Sequence, residues 1–294
     1  MDNQKRAYLY ACVAVLLWST IASAFKISLR HVDFLTLLFY ASLTASVFLF
    51  LYLLFLKKLQ SLKAFTGRDY LRSALLGFLN PFLYYAILLK AYSILKAQEA
   101  VTLNFIWPIM LVLLSIPILH QRIGLRSILS IIISFLGVFV IATEGNILGF
   151  RFTNTVGVLL ASGSSVIWAL FWIYNIKDKR DEAARLFVNF AFGTVFIFPA
   201  ILLFSELKLP NRSGFFGAVY VGLFELGITF LVWLKALRLS RTTAHVTNLI
   251  YLVPFFALVV ISLVVGEKIL FSTGIGLVLI VGGIILQKFW ARPA

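Results

Sequence analysis

The stretch LLKAYSILKAQEAVTLNFIWP, Leu88 to Pro108, decides the fold because a version of it occurs twice. Set above WLKALRLSRTTAHVTNLIYLVP, Trp233 to Pro254, it puts Lys90-Ala91 on Lys235-Ala236 and Val101-Thr102 on Val246-Thr247. After a one-residue slip Pro108 falls on Pro254. Further on, Arg122-Ile123 falls on Lys268-Ile269 and Gly137 on Gly283. Trp18 pairs with Trp168 at a slightly different offset. Each copy sets an asparagine, a large polar-tipped ring and a proline inside an otherwise apolar run: Asn104, Trp107 and Pro108, then Asn248, Tyr251 and Pro254.

Those apolar runs are the rule along the whole chain. It has 294 residues, 62% of them hydrophobic and 13% charged, against about 25% charged in a soluble domain. Runs of about 20 apolar residues, each long enough to cross a hydrocarbon core, recur from end to end. The fold class is therefore an all-α polytopic membrane protein. Ten transmembrane helices are expected, at 7–27, 34–56, 71–90, 98–119, 125–143, 155–175, 184–205, 214–236, 246–265 and 271–290. Lys5, Arg6 and the Ala22-Ser23-Ala24 triplet resemble a secretory leader. The run from Ala7 to Ala24 is too long for one, and Trp18 has a counterpart later, so the segment is expected to stay as the first helix.

The net charge of +15 would suit nucleic acid, but the basic residues lie in short loops between spans, and no nucleic-acid partner is expected. With the N-terminus inside, 18 of the 26 lysines and arginines fall on the inner side, which places both termini in the cytoplasm. A bacterial inner (plasma) membrane is the expected location. Cys12 is the single cysteine, so neither an intrachain disulfide nor a Cys/His metal cluster is available. No cofactor, no metal and no obligate protein partner is expected; the partners are the bilayer and a small-molecule substrate.

The repeat divides the chain into helices 1–5 (1–145) and helices 6–10 (146–294). Five is odd, so the second set starts on the opposite side of the membrane, the inverted-topology arrangement of many secondary transporters. Pro108 and Pro254 are expected to kink helices 4 and 9 near mid-membrane and open a centre. Asn104 and Asn248 either line that centre or bond across helices.

At this point the residues carry a resemblance. LLWSTIASAFKIS (Leu16 to Ser28), KAYSILKAQEAVTLNFIWPI and KALRLSRTTAHVTNLIYLVPFFALVVISLVVGEKI resemble the EamA-like members of the drug/metabolite transporter superfamily over almost the whole chain. The resemblance implies small-metabolite transport, often export, and is closest to the exporters of aromatic and other amino acids. The superfamily also contains nucleoside, sugar-phosphate and other carriers, so the fold alone does not select a substrate. A drug-like cation stays open as well.

The candidate substrate-binding residues are Trp18, Asn80, Tyr84, Tyr85, Asn104, Trp107, Trp168, Trp172, Asn248 and Tyr251, on helices 1, 3, 4, 6 and 9. An aromatic-lined site with few polar groups suits an amphipathic solute, and tryptophan faces can hold an ammonium group. An interfacial belt is the competing reading for rings; it fits Trp290, Tyr8 and Tyr10, whereas Trp18, Trp107 and Trp168 sit near mid-span. Glu225 is a carboxylate in mid-helix 8 and the repeat equivalent of Asn80. Proton coupling, attraction for a substrate ammonium and a structural hydrogen bond all remain open for it. Lys26 and Lys90 read as snorkelling side chains. The small residues of helix 6 (161–165) and helix 10 (Gly274, Gly276, Gly282 and Gly283) read as close helix packing.

Other function classes fit poorly. His31, His120 and His245 sit at span edges, far apart in sequence. Asp178, Asp181 and Glu182 alternate with bases in KDKRDE and read as a solvated turn. An enzyme is not expected on these groups. No selectivity-filter motif argues for a channel, and no Walker A motif supports ATP hydrolysis. What remains is a uniporter or an ion-coupled carrier working by alternating access.

Overall fold

The computed structural model describes residues 2–95, 103–143, 145–146, 148–149, 154–206, 208–265 and 270–290. Regular structure among them is helical. It begins with α1 (Asn3–Ser28), α2 (Phe34–Phe55), a short α3 (Gln60–Lys63), α4 (Gly67–Gly77) and α5 (Tyr84–Ile94). It continues with α6 (Trp107–Leu119), α7 (Leu125–Ala142), α8 (Thr155–Lys177), α9 (Glu182–Phe204), α10 (Arg212–Val221) and α11 (Ile228–Leu239). A short α12 (Thr243–Thr247), α13 (Leu252–Val265) and α14 (Phe271–Trp290) complete it. In hydrocarbon every backbone polar group must be paired within the protein, and a helix does this inside one segment.

Polar side chains mark where the helices start. Asp33 Oδ1 accepts from the Leu35 and Thr36 amides at 3.0 and 3.1 Å and opens α2. Thr66 and Asp69 cap α4 reciprocally. Asn154, Asp181 and Asn211 accept from the first-turn amides of α8, α9 and α10. Each cap satisfies donors that a helix start leaves free.

Six helical stretches are long and apolar enough to span a bilayer: 3–25, 34–55, 67–88, 155–177, 182–204 and 212–239. Four shorter apolar helices accompany them, Trp107–Leu119, Leu125–Val140, Thr243–Ala257 and Gly274–Leu286. Large apolar side chains such as Leu203, Phe204, Phe216 and Phe271 stand exposed on the outside, where acyl chains are the solvent.

Three expectations about helix continuity need correction. Helix 4 is not one kinked rod. Its expected residues 98–102 lie outside the described residues, 103–104 are helical, 105–106 form a turn, and α6 starts at Trp107. Pro108 therefore sits in the first helical turn, where its missing N–H costs nothing. Helix 9 tightens and does not break: α12 leads without interruption into a 3₁₀ turn over Asn248–Tyr251, whose flanking residues keep right-handed helical backbone, and Pro254 lies in the first turn of α13. Helix 3, expected to be continuous, is interrupted by a π turn over Phe78–Leu83 that contains Asn80 in extended backbone (φ −154°, ψ 125°) and a cis Asn80–Pro81 peptide. A proline pushes the residue before it out of helical conformation. A second π turn, Gly222–Gly227, separates α10 from α11.

The packing is pairwise. α7 lies along α14, and α2 lies along α9. α1 is held between α11 and α13, while α8 is held between α5 and α6. α4 and the first π turn rest on α9, as the second π turn rests on α2. Close approach is clearest between α7 and α14. A Cβ on Gly137 would stand 2.5 Å from the Gly276 carbonyl, and one on Gly283 would stand 2.6 Å from the Ser130 carbonyl. Gly163, Gly274 and Gly282 have nothing that near, so packing explains only part of the small-residue pattern.

Candidate functional site

Five tryptophans meet where α1, α6, α8 and α11 converge. The Trp18 ring centroid lies 6.4 Å from Trp107, 6.2 Å from Trp168 and 5.7 Å from Trp233. Trp107 stands 6.0 Å from both Trp168 and Trp233, and Trp172 stands 5.8 Å from Trp168. Tyr84 and Tyr85 join from α5, with Tyr84 4.4 Å from Trp168. Phe230 of α11 closes the group against Trp168 and Trp172. Most contacts are edge-on or tilted, the arrangement that ring quadrupoles favour.

This assembly joins most of the residues singled out from the sequence and adds Trp233 and Phe230. Trp233, near the expected end of helix 8 at 236, is not among the candidates named from the sequence. The helix runs on to Leu239 and buries Trp233 completely. In this conformation the rings fill the centre instead of lining an open cavity. Trp18 is the most exposed of the five tryptophans at 8%. The indole nitrogens of Trp18, Trp168, Trp172 and Trp233 have no hydrogen-bond partner among the described residues. A buried donor without a partner is costly, so these are groups a ligand's acceptors would satisfy.

Asn104 sits beside the rings. Its Nδ2 donates to the Tyr84 hydroxyl at 3.1 Å and to Ser164 Oγ at 3.4 Å, which ties the segment before α6 to α5 and α8. Asn80 is fully buried in its π turn with both amide atoms unpartnered. Tyr85 donates to Glu225 Oε1 at 2.6 Å and so links α5 to the second π turn. Among the described residues Tyr251 makes no ring contact with the tryptophans. Tyr251 packs in a separate apolar cluster with Val112, Ile131, Val138 and Ile280, its hydroxyl unpartnered. Asn248 is buried in the same 3₁₀ turn with its amide unpartnered. Lys90 is exposed. The side chains of Lys26 and Trp290 lie outside the described residues, as does the Gly-Glu-Lys at 266–268.

Within the KDKRDE turn Lys177 and Lys179 are exposed and Asp181 and Glu182 are partly exposed, but Asp178 is buried, which corrects the solvated reading for that residue. Asp178 is 1% exposed and accepts from Arg180 Nη2 at 2.6 Å and from Arg180 Nε at 3.0 Å. Arg72 Nε stands 3.6 Å away, and the fully buried Arg185 stands 3.8 Å away. Arg185 and Arg238 also donate to the Asp178 carbonyl. Burial pushes the Asp178 carboxyl up, but the hydrogen bonds from Arg180 and the positive field of Arg185 and Arg180 outweigh it, and the net displacement is downward. Asp181 follows the same balance, with Lys58 at 2.7 Å and the α9 amides holding its carboxyl low against burial. This network ties α4, α8, α9 and α11 together on the face that carries the N-terminus. Gln4 supports the same face by accepting from the Arg241 amide at 2.9 Å, and Gln121 by accepting from Thr243 at 3.1 and 3.0 Å. Among the described residues no group of acidic, histidine or cysteine side chains has the arrangement to hold a metal ion.

With this geometry in view, the comparisons with known proteins are direct. The model of the EamA-like transporter family matches residues 5–143 and 155–287. An uncharacterized transporter of Archaeoglobus fulgidus is 25% identical over 96% of this chain and 96% of its own length. Another from Clostridium kluyveri is 28% identical over 78% of this chain and 75% of its own. The Bacillus subtilis uncharacterized transporter YvbV is 27% identical over 74% and 70%. A solved crystal structure superposes with a TM-score of 0.83 over 97% of each chain at 21% identity, which shows a shared fold. A family match across nearly the full length, together with six apolar helices of spanning length, identifies the chain as a multi-pass membrane protein that belongs to the EamA-like transporter family.

Proposed function

We propose that the protein is a secondary transporter that exports small amphipathic metabolites, amino acids including aromatic ones, by alternating access. The ten helical segments are then ten spans in two inverted halves, 1–145 and 146–294, with both termini in the cytoplasm. Three features support the halves. The family match falls into two stretches, 5–143 and 155–287. The packing also maps onto itself when the halves are exchanged: α1 against α11 and α13 becomes α8 against α5 and α6, and the α2–α9 and α7–α14 pairs are unchanged. The π turns at 78–83 and 222–227 occupy matching places.

The observation that carries the substrate reading is the aromatic cluster. Its tryptophans come from both proposed halves, Trp18 and Trp107 from the first and Trp168, Trp172 and Trp233 from the second, and four of the five present unpartnered indole N–H groups. Separation of the halves would part the rings and expose flat apolar faces beside polar donors. That chemistry suits a solute with an aromatic or aliphatic body and a carboxylate end. Tyr84, Asn104 and Asn80 offer further hydrogen bonds, and Glu225 offers a single carboxylate for an ammonium group or a proton. The ion network on the N-terminal face joins Lys58, Asp69 and Arg72 of the first half to Asp178, Arg180 and Asp181 of the second, and acts as the cytoplasmic closure.

Counterflow tests this. Proteoliposomes loaded with unlabelled tryptophan should take up labelled tryptophan transiently, with saturation. Uptake that rises linearly with concentration, without counterflow, contradicts a carrier. Saturable transport restricted to nucleosides or sugar phosphates contradicts the amino-acid assignment.

A further inference from the structure

A cavity of about 580 Å³ opens on the N-terminal face between α2 and α11. Its walls are apolar. Phe48 and Tyr52 of α2 and Leu56 just past its end follow one another at four-residue spacing, and Ile228, Leu231 and Val232 face them from α11. α2 packs closely on the π turn at 222–227 and only sparsely on α11 beyond it, so the two helices diverge toward this face. Tyr52 and Leu56 are 37% and 40% exposed, so the gap communicates sideways with the surroundings of the helix bundle.

The rim has a different chemistry. Lys58, Lys179, Arg180, Lys235 and Arg238 stand there against only Asp181 and Glu182. Lys58 is neutralised by Asp181 at 2.7 Å, Arg238 by Glu182 at 3.0 Å and Arg180 by Asp178. Lys179 and Lys235 have no carboxylate partner among the described residues; the Lys235 ammonium instead lies 5.2 Å over the Tyr10 ring. The cavity thus combines a laterally open apolar slot with two uncompensated ammonium groups at its mouth.

We propose that this cavity is a binding site for an anionic phospholipid, with acyl chains between α2 and α11 and the phosphate held by Lys179 and Lys235. An apolar slot at membrane depth beneath a basic rim at headgroup level is the complement of such a lipid. Such a site depends on the membrane setting and not on the substrate assignment. The site has a consequence for the aromatic cluster. α11 turns Leu231, Val232 and Lys235 to the cavity and Phe230 and Trp233 to the rings, so a bound lipid bears on the helix that carries Trp233.

Lipid retention tests the proposal without measuring transport, so its failure leaves the transport reading untouched. The purified full chain is equilibrated in micelles with equal phosphatidylglycerol and phosphatidylcholine, and retained lipid is counted by native mass spectrometry. Phosphatidylglycerol should be retained about five-fold over phosphatidylcholine at one molecule per chain. Lys179→Gln with Lys235→Gln should bring the ratio near parity, while Arg126→Gln, outside the cavity lining, should leave it unchanged. Equal retention of the two lipids by the native protein overturns the proposal. So does full enrichment in the double variant, or equal loss in Arg126→Gln, which would mean diffuse surface charge. Glycerol 3-phosphate raising the melting temperature as much as phosphatidylglycerol would mean that a soluble anion suffices, and would also overturn it. Melting of each variant in phosphatidylcholine alone separates loss of the site from loss of the fold.

Discussion

Replacing Asp178 by asparagine should be among the most damaging single-atom-scale changes outside the aromatic cluster. The carboxylate is 1% exposed, and Arg72, Arg180 and Arg185 lie within 3.8 Å of it. Asparagine keeps the size and one acceptor oxygen but removes the charge. Arg185, 0% exposed, is then left buried without a counter-ion, and its Nε and Nη2 already lack partners. Stranding one member of a buried ion pair costs about 3–5 kcal/mol. Arg185 retains the Asp178 and Arg180 carbonyls, which favours the lower end, about 3 kcal/mol. At roughly 2–4 °C per kcal/mol this is a fall of about 6–12 °C in melting temperature. The assay is thermal melting of purified protein in detergent, followed by tryptophan fluorescence. Adding Arg185→Met should recover at least half of the loss, because an apolar side chain of similar reach needs no counter-ion. A fall below about 2 °C, or a double variant worse than the sum of its parts, would refute the idea that Asp178 holds a buried arginine in place.

Other expectations follow from the same geometry. Asp178 and Asp181 have folded-state pKa values below the ordinary 3.8, so their stabilisation is fully present above about pH 3.8 and is lost as the pH falls below it. Melting followed from about pH 6 to pH 3 should show that loss, and Asp178→Asn should show less of it. Gly137→Ala should destabilise by about 1–3 kcal/mol, because the new Cβ meets the Gly276 carbonyl at 2.5 Å. Gly274→Ala, with nothing within 4 Å, should be neutral or stabilising by up to about 1 kcal/mol; melting temperatures of the two variants check the contrast. Tyr85→Phe removes the donor to Glu225 and should cost about 1–3 kcal/mol. Glu225→Gln combined with Tyr85→Phe should be less than additive in the same melting assay.

Much of the helical layout was legible in the sequence, because runs of about 20 apolar residues bounded by capping groups admit few other structures. Where the reading failed, the deciding contacts lie far away in sequence or depend on backbone detail. Asn80-Pro81 stood in plain view, yet a proline in an apolar run does not announce whether the helix kinks, restarts or widens into a π turn. Pro108 reads in sequence as a kink within a continuous helix and not as a first-turn residue after the turn at 105–106, and Pro254 gives no sign of the 3₁₀ tightening that precedes it. The 3₁₀ turn at 248–251 turns Tyr251 toward Ile131 and Ile280, an outcome that α-helical spacing does not give. Trp233 joins the cluster through rings on α1 and α6, contacts that its own sequence neighbours do not show. Asp178 looked solvated because its neighbours in sequence are charged; its burial depends on Arg72, over a hundred positions away, and on Arg185 and Arg238 folding over it. The meeting of Trp18, Trp107 and Trp168 was foreseen from their mid-span positions, but their close contact was not.

The central claim is that the aromatic cluster binds a transported amino acid. Proteoliposomes preloaded with labelled tryptophan, phenylalanine, threonine or methionine would report efflux for the native protein beside Trp107→Ala and Trp233→Ala, each first shown to be folded by its melting curve. The account predicts saturable efflux of at least the aromatic amino acids, reduced about ten-fold or more in both variants, equivalent to about 1.4 kcal/mol of lost interaction. Efflux of no amino acid by folded native protein, or full efflux in both variants, would contradict it.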